Sequence, residues 1–341
     1  MKTADFTYDL PPELIAQAPL EARDASRLLV LDRRSGALQH RRFADFPSLV
    51  APGDVVVVND TRVFAARLLG RRRGGGAAEV LLVSREDGGT WRALVRPGAR
   101  IRPGATLALE GGDGVEVLAT LDGGQRRVRL VGEGGDDAIV ARHGKVPLPP
   151  YIAREPDETD RERYQTVYAA NPGSVAAPTA GLHFTPGVLA DLGRRGVEVA
   201  RLTLHVGPGT FRPVTAADPA HHALDPEAYA LPEATARSIA AARGRGGAVW
   251  AVGTTATRTL EACAGPGGTV RAGAGWTSLF ILPGHRFRVV DRLLTNFHLP
   301  RSTLLMLVSA FAGRETVLAA YREAIAQRYR FYSYGDAMVV L

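Results

Sequence analysis

The sequence predicts an α/β protein: a mostly parallel sheet flanked by helices, with an all-β, barrel-like domain inserted into it. Three features predict this. Residues 54–58 (DVVVV) form a continuous apolar run of strand length, the pattern of a strand buried on both faces. Between about 64 and 150, short alternating runs are separated by glycine pairs and triplets. After about 152, helix and strand patterns alternate, which calls for a sheet covered on both sides.

Taken in order, the DVVVV strand ends in Asn59-Asp60-Thr61-Arg62, a polar segment at its carboxyl end. The runs AEVLLV (78–83), WRALV (91–95), TLALE (106–110), VEVLATL (115–121) and RRVRLV (126–131) have the period of two expected of strands half-buried in a small antiparallel barrel or sandwich. A short helix over 136–142 and the proline-rich VPLPPYI (146–152) lead out of that region. Thr185 is placed to cap a helix that Pro186 opens and that stops near Gly196. The strand VEVARLTLHV (197–206) follows. Pro232 opens another helix, ending in the glycines at 244–247. The strand AVWAV (248–252) runs through Gly253-Thr254-Thr255 into a helix reaching Glu261. A helix over about 314–328 and a last buried strand, DAMVVL (336–341), complete the pattern. The simplest organisation is an α/β domain of 1–62 plus 152–341, with 63–151 inserted.

Composition narrows the function. In 341 residues, 42 basic against 35 acidic side chains leave a net charge of +7, and 45% hydrophobic with 23% charged residues is the make-up of a folded globular chain, not a disordered one. The apolar stretch LLMLVSAF (304–311) is far short of the ~18 residues a membrane span needs. The N-terminus has no signal-peptide apolar core, and its acidic residues argue against a transit peptide. A cytoplasmic protein with no membrane partner is expected. Cys263 is the single cysteine, which excludes a disulfide framework or a cysteine-rich metal site. The basic residues are arginines except Lys2 and Lys145. Such an excess suits a phosphate-bearing partner.

Ligands of open α/β sheets bind beyond the carboxyl ends of the strands. Four segments fall there: VAAPTAGLHF (175–184) with His183, TLHVGPGTF (203–211) with His205, VGTTATRTLE (252–261) and TNFHLPRSTL (295–304) with His298. They share threonine, glycine and histidine on apolar backbone. Gly253, Thr254 and Thr255 at a helix start suit an anionic group. The chain carries no G-x-x-x-x-G-K-[ST], no G-x-G-x-x-G after a strand and no G-x-S-x-G. His221-His222 is not a HExxH zinc site, and no metal is expected. A cleft of hydroxyls, amides and imidazoles suits proton transfer on a small polar ligand. Residue types alone do not name the reaction.

The strings FTYDLPPELIAQAPLEARDASRLLVLDR (6–33), PGDVVVVNDTRVFAARLLG (52–70), GKVPLPPYI (144–152), YQTVYA (164–169), GSVAAPTAGLHFT (173–185), TLHVGPGTFRPV (203–214), AVGTTATRTLE (251–261), TNFHLPRSTLLMLVSAFAG (295–313) and YRFYSYGDAM (329–338) together resemble one family: the S-adenosylmethionine:tRNA ribosyltransferase-isomerases of queuosine biosynthesis, the QueA family. The resemblance covers nearly the whole chain and is weak only inside 63–151. It implies an α/β fold with an inserted β-barrel, and two substrates. One is tRNA whose anticodon arm carries 7-aminomethyl-7-deazaguanine at the wobble position. The other is S-adenosylmethionine, used as ribosyl donor, with no further cofactor. Epoxyqueuosine forms and adenine and methionine leave. Family precedent implies a monomer.

On this resemblance, His183, His205 and His298 are the expected proton-transfer groups, with Asp336 orienting one of them or receiving the amine. Asn59, Thr61, Arg62, Pro178, Thr179, Gly181, Gly207, Gly209, Thr210, Asn296 and Ser302 are expected around the substrates. Gly253, Thr254 and Thr255 are expected to hold the methionine carboxylate. Arg62 and Arg258 are expected to contact carboxylate or phosphate. The arginines at 71–73 are candidates for gripping RNA. The family pattern His-x-Met-His-x-Glu appears here as His222-Ala-Leu224-Asp225-Pro-Glu227. His222 and Glu227 match, whereas Asp225 replaces the second histidine. That departure keeps a diverged paralogue open as an alternative, beside a non-catalytic RNA-binding protein. Retention of the three histidines with their flanks argues against the latter.

Overall fold

The computed structural model describes residues 1–211 and 213–341. The chain enters through three short 3-10 turns into β1 (Arg27–Leu31) and β2 (Leu38–Arg42), passes α1 (Phe46–Leu49), and forms β3 (Val55–Asn59) and β4 (Thr61–Val63). Six strands follow: β5 (Arg67–Arg72), β6 (Ala77–Glu86), β7 (Thr90–Arg96), β8 (Thr106–Ala108), β9 (Gly114–Thr120) and β10 (Arg126–Val131). After α2 (Gly135–His143) and α3 (Glu158–Arg163) come β11 (Asn171–Ser174), α4 (Pro186–Arg194), β12 (Glu198–Leu204), β13 (Glu227–Leu231), α5 (Glu233–Gly244), β14 (Val249–Val252), α6 (Gly253–Ala262), β15 (Gly273–Thr277), β16 (Arg292–Asn296), α7 (Thr303–Ala312), α8 (Arg314–Ala326) and β17 (Ala337–Val340).

One nine-stranded sheet has the order β15-β13-β12-β3-β14-β16-β17-β1-β2. Its centre, β12-β3-β14-β16, is parallel, as is β1 against β17. Antiparallel pairings lie outside that centre and at the β16–β17 step, so the sheet is mixed. The valines of β3 are wholly buried between two apolar layers, Val55 and Val57 on one side and Val56 and Val58 on the other. Each such valine contributes about 1.5 kcal/mol or more to folding. Asp54 ties β3 to β14: it accepts from the Ala248 amide (2.7 Å) and the buried Trp250 indole (2.8 Å).

The second body is a closed barrel, β10-β7-β6-β5-β8-β9, in which every pairing is antiparallel. Five of its strands fall on the five alternating runs. The sixth, β5 (RLLGRR), carries too many arginines to show its period. α2 plugs the barrel with Ile139, and Asp113 pins its end, accepting from Arg142 Nε and Nη2 (3.0 and 2.7 Å) and facing His143 Nε2 (2.7 Å). A small parallel pair, β4 with β11, stands beside the large sheet.

Three helices, α3, α4 and α7, start on a side-chain cap. Thr185 Oγ1 accepts from Val188 N (3.2 Å) and its hydroxyl also reaches Asp24 (3.3 Å). Thr185→Ala is expected to destabilise the protein by ~1 kcal/mol, read as a lower denaturant midpoint at unchanged slope. Among the described residues, no single helix is long and apolar enough to cross a membrane. The LLMLVSAF stretch is α7, packed into the core beside α8.

Candidate functional site

Parallel strands leave unpaired backbone at their carboxyl ends, and the sheet here ends in a chain of cavities. The first is walled by Gly207, Gly209, Thr210, Asp225, Glu227 and Arg258, with leucines from α7 and the Leu279–Ile281 segment. The second is walled by Pro178, Thr179, Gly253, Thr254, Thr255, Asn296 and His298. The third adds Tyr151, Ser302, Tyr332 and Ser333 to Thr179, Asn296 and His298. Thr210 and Leu304 belong to all three walls, so the cavities adjoin one another along one cleft region.

Several residues expected on substrate are spent on building this cleft. Asn59 is fully buried: its amide donates to Leu204 O (3.0 Å) and Thr255 Oγ1 (3.2 Å), and its Oδ1 accepts from Thr61 N (3.1 Å) and Leu204 N (3.0 Å). Ser302 caps α7, accepting from Leu305 N (3.2 Å). Gly181 packs its bare Cα against the Tyr168 hydroxyl, where a Cβ would come within 2.2 Å. Arg62 is exposed in the small β4–β11 ladder, not in the cleft wall. His222 stands edge-on behind Phe280, which lines the first cavity (centroids 5.6 Å apart).

Asp336 is a brace. It is 1% exposed and its two oxygens accept from Arg27 N (2.8 Å) and Arg330 N (2.7 Å), tying the start of β1 to the turn before β17. Burial pushes its pKa up while those amides hold it down. The expected contact with a histidine is absent, because both oxygens point to backbone.

The three histidines do not meet in one crevice. His298 lines two of the cavities, with Nε2 2.7 Å from Thr295 Oγ1. His183 lies behind Asn296, whose amide donates to Nε2 (3.2 Å), which leaves the proton on Nδ1 facing Ser26 Oγ (2.9 Å). Burial lowers the pKa of each to about 3, for His183 with the Arg23 charge adding to it. Both are therefore neutral at pH 7. His205 is on the opposite face of its strand. Leu204 and Val206 turn one way, so His205 turns the other, onto Thr61 Oγ1 (2.8 Å from Nδ1). There its ring lies against Gly173, where a Cβ would come within 3.0 Å. Burial lowers its pKa, opposed by the Asp60 charge.

Two polar atoms in the cleft residues are buried and unpaired: Asn296 Oδ1 and Arg258 Nη2. Native interiors rarely leave such groups without a partner, so both retain hydrogen-bonding capacity in residues of the cleft wall. Arg258 otherwise pairs with Glu227 and donates to Leu279 O (2.9 Å). Tyr151, Tyr332 and Ser333 were not expected. Tyr151 Oη meets Ser333 Oγ (2.6 Å), and its ring lies 4.8 Å from that of Tyr332, which has φ +71°. A non-glycine residue held in that region costs about 1–2 kcal/mol, the kind of strain found at working sites. The signal was present in VPLPPYI and YSYGD. Among the described residues, no group of three or more His, Cys, Asp and Glu side chains is placed to hold a metal.

Fold and cleft together define an α/β protein with a row of partly polar cavities at the strand ends and a β-barrel set into one connection. The chain belongs to the queuosine biosynthesis protein family, whose profile matches residues 3–340. It is 55% identical, over the full length of both chains, to the S-adenosylmethionine:tRNA ribosyltransferase-isomerase of Symbiobacterium thermophilum, and 54% identical to that of Moorella thermoacetica at the same coverage. A solved S-adenosylmethionine tRNA ribosyltransferase from Thermotoga maritima matches with a TM-score of 0.57 at 39% identity, covering 99% of this chain and 100% of the other.

Proposed function

We propose that this cleft binds S-adenosylmethionine and transfers its ribosyl group to 7-aminomethyl-7-deazaguanine at the wobble position of tRNA, with rearrangement to the epoxycyclopentanediol of epoxyqueuosine. Adenine and methionine leave. The observation that carries this is identity of more than half the residues, end to end, with enzymes of that activity. Incubation with labelled S-adenosylmethionine and tRNA bearing the aminomethyl base tests it: adenine release that depends on the tRNA, with a modified wobble nucleoside, is expected. Adenine release without tRNA would favour a paralogue acting on another acceptor.

The sulfonium acidifies the ribose 5′ hydrogens, so a base at that carbon starts the reaction. Asn296 Oδ1 is free to accept from a ribose hydroxyl. His298, neutral in the cavity wall, offers its other ring nitrogen to the nucleoside. His205 is the least desolvated of the three imidazoles, but it faces Thr61 away from the cavity walls, so its role here is positioning: it holds Thr61, whose amide donates to Asn59 behind the cleft. His205→Ala is expected to lower kcat at least tenfold without lowering Tm by more than a few degrees. Near-normal turnover would remove it from the mechanism.

The protein acts as a cytoplasmic monomer in this proposal, with 63–151 as the inserted unit and the β5–β6 hairpin as one RNA grip. Arg71 and Arg73 are exposed there. Replacing both by Ser should weaken tRNA binding and flatten the plot of log affinity against log salt by up to ~2. An unchanged slope would take the hairpin out of the interface.

A further inference from the structure

We propose that the cavity between Arg258 and Asp225 seats the amino-acid end of S-adenosylmethionine, its carboxylate on Arg258 Nη2 and its ammonium on Asp225. This rests on the reading above but places the methionine carboxylate away from Gly253–Thr255.

Arg258 is 5% exposed, and the pairing of its guanidinium is incomplete. Nε donates to Leu279 O, Nη1 pairs with Glu227, and Nη2 has no acceptor. Glu227 is already saturated, since its other oxygen accepts from Gly207 N (2.9 Å) and Thr210 Oγ1 (3.3 Å). The pair is thus neutral and leaves one directional donor buried, a position an incoming carboxylate completes. A zwitterion also brings an ammonium. Asp225 supplies its counter-charge: it lines the same cavity, is exposed, and has no salt-bridge partner among the described residues. Gly209 lets that carboxylate approach the loop closely, since a Cβ there would sit 3.2 Å from Asp225 Oδ2. Leu224, Ile281 and Leu307 line the cavity and suit the two methylenes between the α-carbon and the sulfonium. At the shared boundary of Thr210 and Leu304 the sulfonium passes into the cavity of Asn296 and His298, where the ribose lies.

Asp225→Asn removes the charge from an exposed side chain and leaves the Arg258–Glu227 pair intact. It is expected to raise KM for S-adenosylmethionine ~10–100-fold, the range for one hydrogen bond to a charged group, with KM for tRNA unchanged. Calorimetric titration of the full chain with L-methionine and with 4-(methylthio)butanoate separates this role from a structural one. The wild type should bind methionine more tightly than the desamino acid, and Asp225→Asn should abolish that preference. An unchanged KM together with an unchanged preference would overturn the proposal. Wild-type protein that binds methionine with this preference yet releases no adenine with tRNA would sink the functional reading and leave the subsite standing. Wild-type protein that turns over but shows no such preference would do the reverse.

Discussion

His298→Ala is expected to reduce kcat/KM by ~10²–10⁴-fold while leaving the protein folded, as measured by adenine release and by thermal unfolding. The ring is 8% exposed, lines both cavities in which the nucleoside is proposed to lie, and touches Thr295. Its backbone is anchored independently: the amide accepts no role from the side chain, since His298 N donates to Tyr321 Oη (2.9 Å) and its carbonyl accepts from Tyr8 Oη. Removing the imidazole therefore empties the wall without unpinning the loop. His298→Gln sorts the mechanism. With a pKa near 3, this imidazole is a fixed hydrogen-bonding group at neutral pH and a weak proton acceptor. If hydrogen bonding is its whole contribution, glutamine restores much of the loss and the pH–rate profile keeps its shape. If glutamine is as poor as alanine, the ring moves a proton, and binding of the sulfonium substrate must change its surroundings. Activity within threefold of wild type for both variants would remove His298 from the reaction.

The elements that sequence patterning predicts best are those whose burial is one-dimensional. DVVVV reads as a strand covered on both faces because it is one, and the alternating runs of 78–131 read as barrel strands because a closed barrel buries every second residue. Thr185-Pro186 and the Pro232 start are local chemistry and need no tertiary context. β17 is different. Its apolar run is visible, yet nothing in it says that β1, some three hundred residues earlier, is its parallel neighbour, or that it runs antiparallel to β16. β13 and β15 are short and weakly apolar, so the edge that carries Glu227 escaped notice.

The site was legible as segments but not as contacts. All four strand-end segments reach the cleft region, and Thr179, Thr210, Thr254 and Asn296 line it. What the residue list conceals is which polar groups the fold has already used. Asn59 and Asp336 look like ligand residues, yet each is saturated by backbone. Strand parity, readable in VEVARLTLHV, sends His205 away from the face of Val206, so three histidines at strand ends do not make one proton-shuttling cluster. The unpaired Arg258 Nη2 is the converse: only the count of its partners distinguishes it from a solvated helix arginine.

Acidification is expected to destabilise the protein steeply between pH 6.5 and pH 3, with two histidines as the cause. His183 and His298 are 4% and 8% exposed, and burial holds both folded-state pKa values near 3, against 6.5 for an ordinary imidazole. Within that window the unfolded chain binds a proton at each site and the native chain does not. Stability therefore rises with pH across the window: it is fully present above 6.5 and is lost as the pH falls toward 3. Each site contributes a slope of up to about 1.4 kcal/mol per pH unit, so the pair contributes up to ~2.7 kcal/mol per unit. Two pH units are then enough to remove a large share of a stability of about 5–15 kcal/mol. The carboxylates act elsewhere. Asp160, bonded to Arg154 and Tyr334, has a lowered pKa despite its burial, so its contribution is lost only below the ordinary carboxylate range. Asp336, with a raised pKa, favours the folded state on protonation and opposes the trend. Urea midpoints measured from pH 7.5 to 4.0 test this. The wild type should lose stability from just below pH 6.5, and His183→Gln should reduce the slope by up to half, because glutamine carries no titrating proton at that place. A flat profile down to pH 4.5 would show that the imidazoles are not held neutral in the native protein.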